Sequence, residues 1–218
     1  VRGDVYHSDD NALNETAIYR GQSGWETRAI ATAAIDVKWP LIGEAFGGTQ
    51  TIAPRFQIVA TPGLANLSVP NEDSRAVDLE DSNLFALNRF PGYDRYEDNV
   101  RATYGMEWEI NRPNLQVNVI VGQSYRLENN NNIVPEGTGL SDRFSDIVGR
   151  TNVRFKDIVK FTHRYRLDKD NLAVRRNEID ATVGTSGTYA QIGYLRLNRN
   201  IGQGLEDLRD REEVRVGG

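Results

Sequence analysis

Apolar and polar side chains alternate almost without interruption from Asn99 to Leu127, broken only by a turn at Asn111–Asn114. Because successive side chains of a strand point to opposite sides, this alternation predicts two antiparallel strands, each with one apolar and one polar face. The same pattern recurs in segments 28–41, 49–61, 151–155, 158–168, 172–184 and 189–198, with partial strands at 1–4 and 211–216. The sequence therefore predicts an all-β fold of about ten consecutive strands.

The predicted strands are long, and the connections between them alternate in length. Short connections follow the second, fourth, sixth and eighth strands, whereas long ones follow the first, third, fifth and ninth. In an up-and-down sheet this places the short turns at one end and the long loops at the other. Membrane strands need about 9–11 residues, while globular strands have about 5–6. The pattern favours a segment of a large antiparallel transmembrane β-barrel, with a soluble ligand-binding β-sandwich as the alternative.

The composition excludes several other classes of protein. The net charge of −5 argues against nucleic-acid binding, which requires a basic surface. With no cysteine, this sequence has neither disulfides nor thiolate metal ligands. No grouping of catalytic or metal-ligating residues stands out, so we predict no enzymatic activity, cofactor or metal. The chain opens without a signal peptide and is expected to be an excised fragment.

In a barrel, the polar faces of the strands line a water-filled lumen. The lumen-facing candidates are Arg101, Glu107, Glu109, Arg126, Lys160, Arg164, Arg166 and Arg176. On the apolar faces, Trp39 and Trp108 are predicted to lie beside short turns, as part of an aromatic girdle. Arg175 lies in the lipid-side register near the long-loop end, where we predict contact with anionic head groups of the outer leaflet. His163, on an apolar face, is expected to be packed or interfacial.

The largest predicted loop, Asp78–Asp98, is unusually acidic. Between Glu72 and Asp98 there are eight acidic and three basic residues. Such a loop could bind a divalent cation through oxygen ligands, or its acids could pair with arginines inside the folded loop. The spacing of a calcium-binding loop is absent, which favours internal pairing, for example around Asp94, Arg95 and Arg89.

Several segments resemble the LptD family, the lipopolysaccharide (LPS) assembly proteins of Gram-negative outer membranes, and in particular its alphaproteobacterial type. The matching segments are Gly47–Gln57, Glu80–Gly105, Gly122–Leu127, Arg143–Arg150 and Arg166–Gly184. The most specific of them contains the pattern N-R-F-x-G-x-D-R, formed by Asn88, Arg89, Phe90, Gly92, Asp94 and Arg95.

The resemblance implies a location and a set of partners. Residues 1–218 would form part of a C-terminal outer-membrane barrel of about 26 strands, without the N-terminal jellyroll and the barrel ends. The protein would assemble LPS into the outer leaflet, with the LptE lipoprotein as a plug in the lumen. LptA or an equivalent periplasmic bridge would bind through the missing N-terminal domain. The lumen-facing residues would then contact LPS or the plug. A passive porin-like channel is the second alternative.

Overall fold

The computed structural model describes residues 1–9, 17–75, 77–128, 133–185, 187–199 and 210–218. A short helix covers Ala17–Arg20 and a 3-10 turn covers Asn66–Ser68. The strands are β1 (Arg2–Ser8), β2 (Gly24–Ile30), β3 (Ala33–Lys38), β4 (Leu41–Ala45), β5 (Gly48–Thr61), β6 (Asn99–Arg112), β7 (Leu115–Arg126), β8 (Ile147–Phe155), β9 (Val159–Leu167), β10 (Val174–Thr185), β11 (Thr188–Leu197) and β12 (Arg211–Gly217). In these parts of the chain, no helix is long and apolar enough to cross a membrane.

Ten strands form one antiparallel sheet in which β5 to β12 are neighbours in sequence order. Both β3 and β4 pair with the free side of β5, while β1 and β2 form a separate hairpin. From β5 to β12 each strand pairs with the one that precedes it, as in an up-and-down barrel. The all-β prediction is thereby confirmed, and the sheet is a segment of barrel wall.

The segment predicted as one strand, 28–41, is divided among β2, β3 and β4. The register with β5 continues unchanged from β3 to β4, past Trp39 and Pro40. The ladder is interrupted there because Pro40 and the nearby Pro54 have no amide hydrogen to donate. Pro40 therefore interrupts the ladder without starting the connection to β5. The turn is formed by Phe46 and Gly47, whose positive φ angles of 52° and 75° suit a two-residue hairpin.

The other short turns follow the prediction. Pro113–Asn114 joins β6 to β7, and a turn beginning at Lys156, with φ 49°, joins β8 to β9. Thr185 pairs with Thr188, so the connection from β10 to β11 is also short, although Ser186 lies outside the described residues. The asparagine run 129–132 lies outside them as well. The four short turns, after β4, β6, β8 and β10, are all at one end of the sheet.

The sheet exposes its apolar face and buries its polar face, which is the opposite of the burial expected in a soluble protein. Apolar side chains are exposed on one face, called the outer face here: Met106 is 46% and Phe56 45% exposed. Polar side chains are buried on the opposite, inner face, where Thr103 and Arg166 are 0% exposed. A soluble sandwich would bury its apolar face instead. Apolar residues outside and polar residues inside are the arrangement of a lipid-facing barrel wall.

The inner face is buried because two long loops fold over it. The first long loop (62–98) and the second long loop (127–146) share one hydrophobic core with the wall residue Val148. The members from the loops are Val77, Leu79, Leu84, Phe90, Ile133, Val134 and Leu140. The main apolar core of the chain thus lies between the loops and the inner face of the sheet.

Candidate functional site: the loop-covered inner face

All the predicted lumen-facing residues lie on the inner face, because directly paired residues of antiparallel strands share a side of the sheet. The register places the following on that side: Arg101, Glu107, Glu109, Arg126, Lys160, Arg164, Arg166 and Arg176. They share one side of the sheet, whereas their exposure to a lumen and their contact with LPS or a plug protein stay predictions. Several of them hold the chain's own loops.

Glu97 of the first long loop forms a buried cluster with two arginines. Arg89 donates from Nε to Glu97 Oε2 at 2.7 Å and from Nη1 to the Ser124 hydroxyl at 2.8 Å. Arg101 Nη1 lies 2.9 Å from the same Oε2 and also donates to the carbonyl of Leu87. The three charged side chains are at most 8% exposed. The cluster fastens the loop to β6 and β7.

Burial alone would raise the pKa of Glu97, but the positive charges of Arg89 and Arg101 outweigh burial and lower the pKa to about 2. A carboxyl whose folded pKa is depressed stabilises the fold fully above its unfolded pKa. That contribution is lost as the pH falls toward the folded pKa.

We therefore predict that the ion cluster loses about 3 kcal/mol of its stabilisation between pH 4.5 and pH 2. The measurement is thermal unfolding of the wild type and Glu97→Gln, the neutral mimic, at a series of pH values. The stability difference should be constant above pH 5 and shrink below it. A difference independent of pH down to 3 would contradict a depressed pKa for Glu97.

The recognised N-R-F-x-G-x-D-R pattern builds the end of the first long loop. The Asn88 side chain holds the two ends of this segment together: it accepts a hydrogen bond from the Glu97 amide at 3.0 Å and donates one to the Arg95 carbonyl at 3.1 Å. Gly92 has φ 74°, and a Cβ there would lie 2.3 Å from the carboxyl carbon of Asp73. This position therefore requires glycine. Phe90 belongs to the hydrophobic core.

Asp94 and Arg95 of the pattern are bound mainly to backbone groups. Asp94 accepts from the amide of Glu72 at 2.8 Å, and Asp73 accepts from the amide of Asp94 at 3.0 Å. Arg95 is 1% exposed and donates to the Val69 carbonyl at 2.7 Å; burial lowers its pKa to about 10. The predicted pairing of acids with loop arginines is thus right for Glu97 with Arg89, but not for Asp94.

Three further acids of the first long loop, Asp78, Glu80 and Asp81, pair with arginines outside the loop. Asp78 contacts Arg166, which is fully buried and also donates to the Thr138 carbonyl at 2.7 Å. Arg199, beyond β11, donates to Asp78 at 2.9 Å. Since Thr138 belongs to the second long loop, Arg166 joins both loops to β9.

Neighbouring acids extend this contact along the wall. Glu80 accepts from Arg176 at 2.8 Å, and Asp81 lies 3.1 Å from Arg150. Arg126 on β7 donates to the Leu140 carbonyl of the second long loop. In the described ranges, no group of three or more acidic or histidine residues could hold a metal ion.

Nearer the short turns, the predicted residues pair with the wall. Glu107 accepts from Lys38 at 2.6 Å and from Asn118 at 2.8 Å. Glu109 accepts from Asn111 at 2.5 Å. Lys160, on β9, is exposed. This half of the inner face is polar and lined by neutral amides as well as charges.

The remaining predicted residues have locations that the alternation alone could not give. Arg175 lies at an irregularity of the β9–β10 pairing, and its Nη2 donates to Asp168 at 2.7 Å. Trp39 is on the outer face but near the middle of β5 rather than beside the turn, because the turn lies farther along the chain than expected. Trp108 donates to Gln50 at 2.9 Å. Head-group contact and girdle roles stay predictions.

Three arginines of the site are missing from the prediction: Arg150, Arg199 and, with the most contacts to the first long loop, Arg28. Arg28 is 5% exposed and binds Asp4 at 2.9 Å and the carbonyls of Tyr93 and Asp94 at 2.7 and 2.8 Å. It connects the β1–β2 hairpin to the first long loop. Alternation places Arg28 on the polar face, but only the inward fold of the loop reveals its partners.

An up-and-down sheet with an apolar outer face and a charged inner face covered by its own loops defines a wall segment of an outer-membrane-type β-barrel. The chain belongs to the LptD family: the sequence model of that family, described as "LPS transport system D", matches residues 1–217.

Relatives of the chain bear the name of the same family. The chain is 26% identical over 168 residues to the LPS-assembly protein LptD of a Polaromonas species, covering 76% of this chain and 20% of the relative. It is 34% identical over 99 residues to that of Nitrosospira multiformis (45% and 10%) and 26% identical over 205 residues to that of Coxiella burnetii (88% and 23%). The chain thus spans at most about a quarter of these relatives. They do not bear out an alphaproteobacterial type.

Proposed function

We propose that residues 1–218 are part of the C-terminal barrel domain of an LPS-assembly protein in the outer membrane of a Gram-negative bacterium. The observation that carries this proposal is the loop-covered, arginine-rich inner face beneath an apolar outer face, in a chain of the LptD family. The outer face would contact lipid, while the inner face would border a polar passage for a charged sugar head group.

The role is a conduit rather than a catalyst. The relatives are named for assembly, and in the described part of the chain the charged side chains of the inner face pair with the covering loops and with neighbouring strands. The partners would be LPS, the LptE lipoprotein inside the lumen and LptA or an equivalent periplasmic bridge. The polar half of the inner face near Glu107 and Glu109 remains open to such a partner.

The test is photo-crosslinking in living cells, in the complete protein that contains this chain. A photoreactive residue replaces Glu109 or Asn118 on the inner face, with Val119 and Met106 on the outer face as controls. We expect adducts with LPS or LptE from the inner positions only. Adducts with neither, in a protein that is extracted without detergent, would reject both the membrane location and the function.

Two neighbouring residues of β7 test the orientation of the wall. Val119→Arg places a charge in the middle of the outer face and should destabilise the folded barrel by about 2–4 kcal/mol. Asn118→Arg places the same charge on the inner face, beside Glu107, and should have little effect. The measurement is unfolding of the complete protein in lipid vesicles. Equal effects of the two substitutions would contradict a lipid-facing outer surface.

A further inference from the structure

Three pairs of arginines lie directly opposite each other on the inner face. Arg101 of β6 faces Arg126 of β7, and Glu97 contacts Arg101 of this pair. Arg150 of β8 faces Arg164 of β9, and Arg166 of β9 faces Arg176 of β10. Directly opposed like charges destabilise an antiparallel pair, since their Cβ atoms are only about 4.5–5.5 Å apart. Each pair therefore needs an anion to stabilise it.

Beside the two pairs of β8 to β10, acids of the first long loop supply part of the negative charge. Glu178 of β10 accepts from Arg164 at 2.9 Å and from Arg176 at 2.6 Å, and Asp146 of the second long loop lies 3.4 Å from Arg166. Asp81 lies 3.1 Å from Arg150 and 3.9 Å from Arg164. Asp78 contacts Arg166 and lies 3.7 Å from Arg176. We call Arg150 and Arg164, with the space that Asp81 occupies, the first seat. Arg166 and Arg176, with the space that Asp78 occupies, are the second seat.

The loop carboxylates do not satisfy the arginines completely. Although Asp81 is only 2% exposed, neither of its oxygens makes a hydrogen bond to any residue in the described part of the chain. The Nε atoms of Arg150, Arg166 and Arg176 are likewise buried without a hydrogen-bond acceptor in that part. Permanent buried ion pairs usually have these groups satisfied. The seats therefore retain unused hydrogen-bonding capacity.

We propose that the two seats bind phosphate groups of the lipid that passes the inner face, and that Asp78 and Asp81 hold the same seats while the loop is folded inward. A guanidinium binds phosphate in a bidentate manner, as it binds carboxylate, and a phosphate offers three acceptor oxygens and more charge. Exchange of one anion for the other never leaves the opposed arginines uncompensated. This inference rests on the proposed function and adds the chemical group recognised.

The experiment measures equilibrium binding of fluorescent lipid A by the complete, detergent-solubilised protein. The probes are lipid A with two phosphates, dephosphorylated lipid A, and inorganic pyrophosphate as a competitor. Asp81→Asn removes the competing carboxylate from the first seat, whereas Arg150→Gln removes part of the seat. Arg154→Gln, on the same face of β8, is the matched control because Arg154 is exposed and pairs with Asp157.

We expect Asp81→Asn to bind phosphorylated lipid A about tenfold more tightly, Arg150→Gln to bind it correspondingly more weakly, and Arg154→Gln to match the wild type. Dephosphorylated lipid should be insensitive to all three substitutions. Competition by pyrophosphate alone would assign the seats to phosphate in general rather than to a lipid. Equal binding of both lipids by every variant would overturn this inference and leave the proposed function intact. No lipid binding in any variant would overturn both.

Discussion

Glu97→Gln should destabilise the folded loop by about 3–5 kcal/mol, because it removes the negative charge that contacts two buried guanidinium groups. Among the residues that the structure describes, Arg89 and Arg101 both make their ion pairs with Glu97 and are 2% and 3% exposed. With a neutral amide in its place, two positive charges would remain buried close together. We expect lower thermal stability and rapid proteolysis of the first long loop in outer-membrane preparations.

The control for this substitution is Glu109→Gln. Glu109 lies on the inner face of β6, as Arg101 does, but accepts from Asn111 at an exposed position. It should have little effect, since exposed polar contacts contribute at most about 1 kcal/mol. The double variant Glu97→Gln with Arg89→Met should be more stable than Glu97→Gln alone, because one of the two stranded charges is removed. If the single and double variants were equally unstable, charge burial would not be the cause.

The wall could be predicted from the sequence because its pattern is local. Alternation located β5 to β11 to within a few residues and placed all the lumen-facing candidates on one side of the sheet, as the register has them. Its errors have local causes. At Pro40 the ladder is interrupted without a turn, and at Arg175 an irregular pairing breaks the alternation. Neither can be read from hydrophobic periodicity, since both depend on the hydrogen bonds of the neighbouring strand.

The inward fold of the loops could be predicted only in part. The acids of the first long loop suggested internal ion pairs, and Glu97 with Arg89 is such a pair. The partners of Asp78 and Asp81, however, are wall arginines more than 65 residues away in sequence. No pattern within the loop specifies them. They follow from the register of β8 to β10, which places opposed arginines where an anion is needed.

Arg166→Met should release both long loops from the wall and raise the conductance of the barrel. Arg166 is fully buried, contacts Asp78 of the first loop and donates to the carbonyls of Thr138 and Gly137 of the second. Its loss leaves Asp78 with fewer cationic partners and two carbonyls without their donor. We expect a destabilisation of about 3 kcal/mol or more. Planar-bilayer recordings of the complete protein should then show larger or more frequent openings than the wild type.

Lys160→Met is the matched control, because Lys160 lies on the same face of β9 but is exposed. It removes the same charge from the inner face without touching either loop, so its conductance should remain that of the wild type. An equal increase in both variants would mean that lumen charge, rather than loop packing, limits conductance. Unchanged conductance in Arg166→Met, with faster proteolysis of the loops, would mean that another part of the protein closes the barrel. Since Arg166 joins both loops, the result decides whether the two loops together close the barrel.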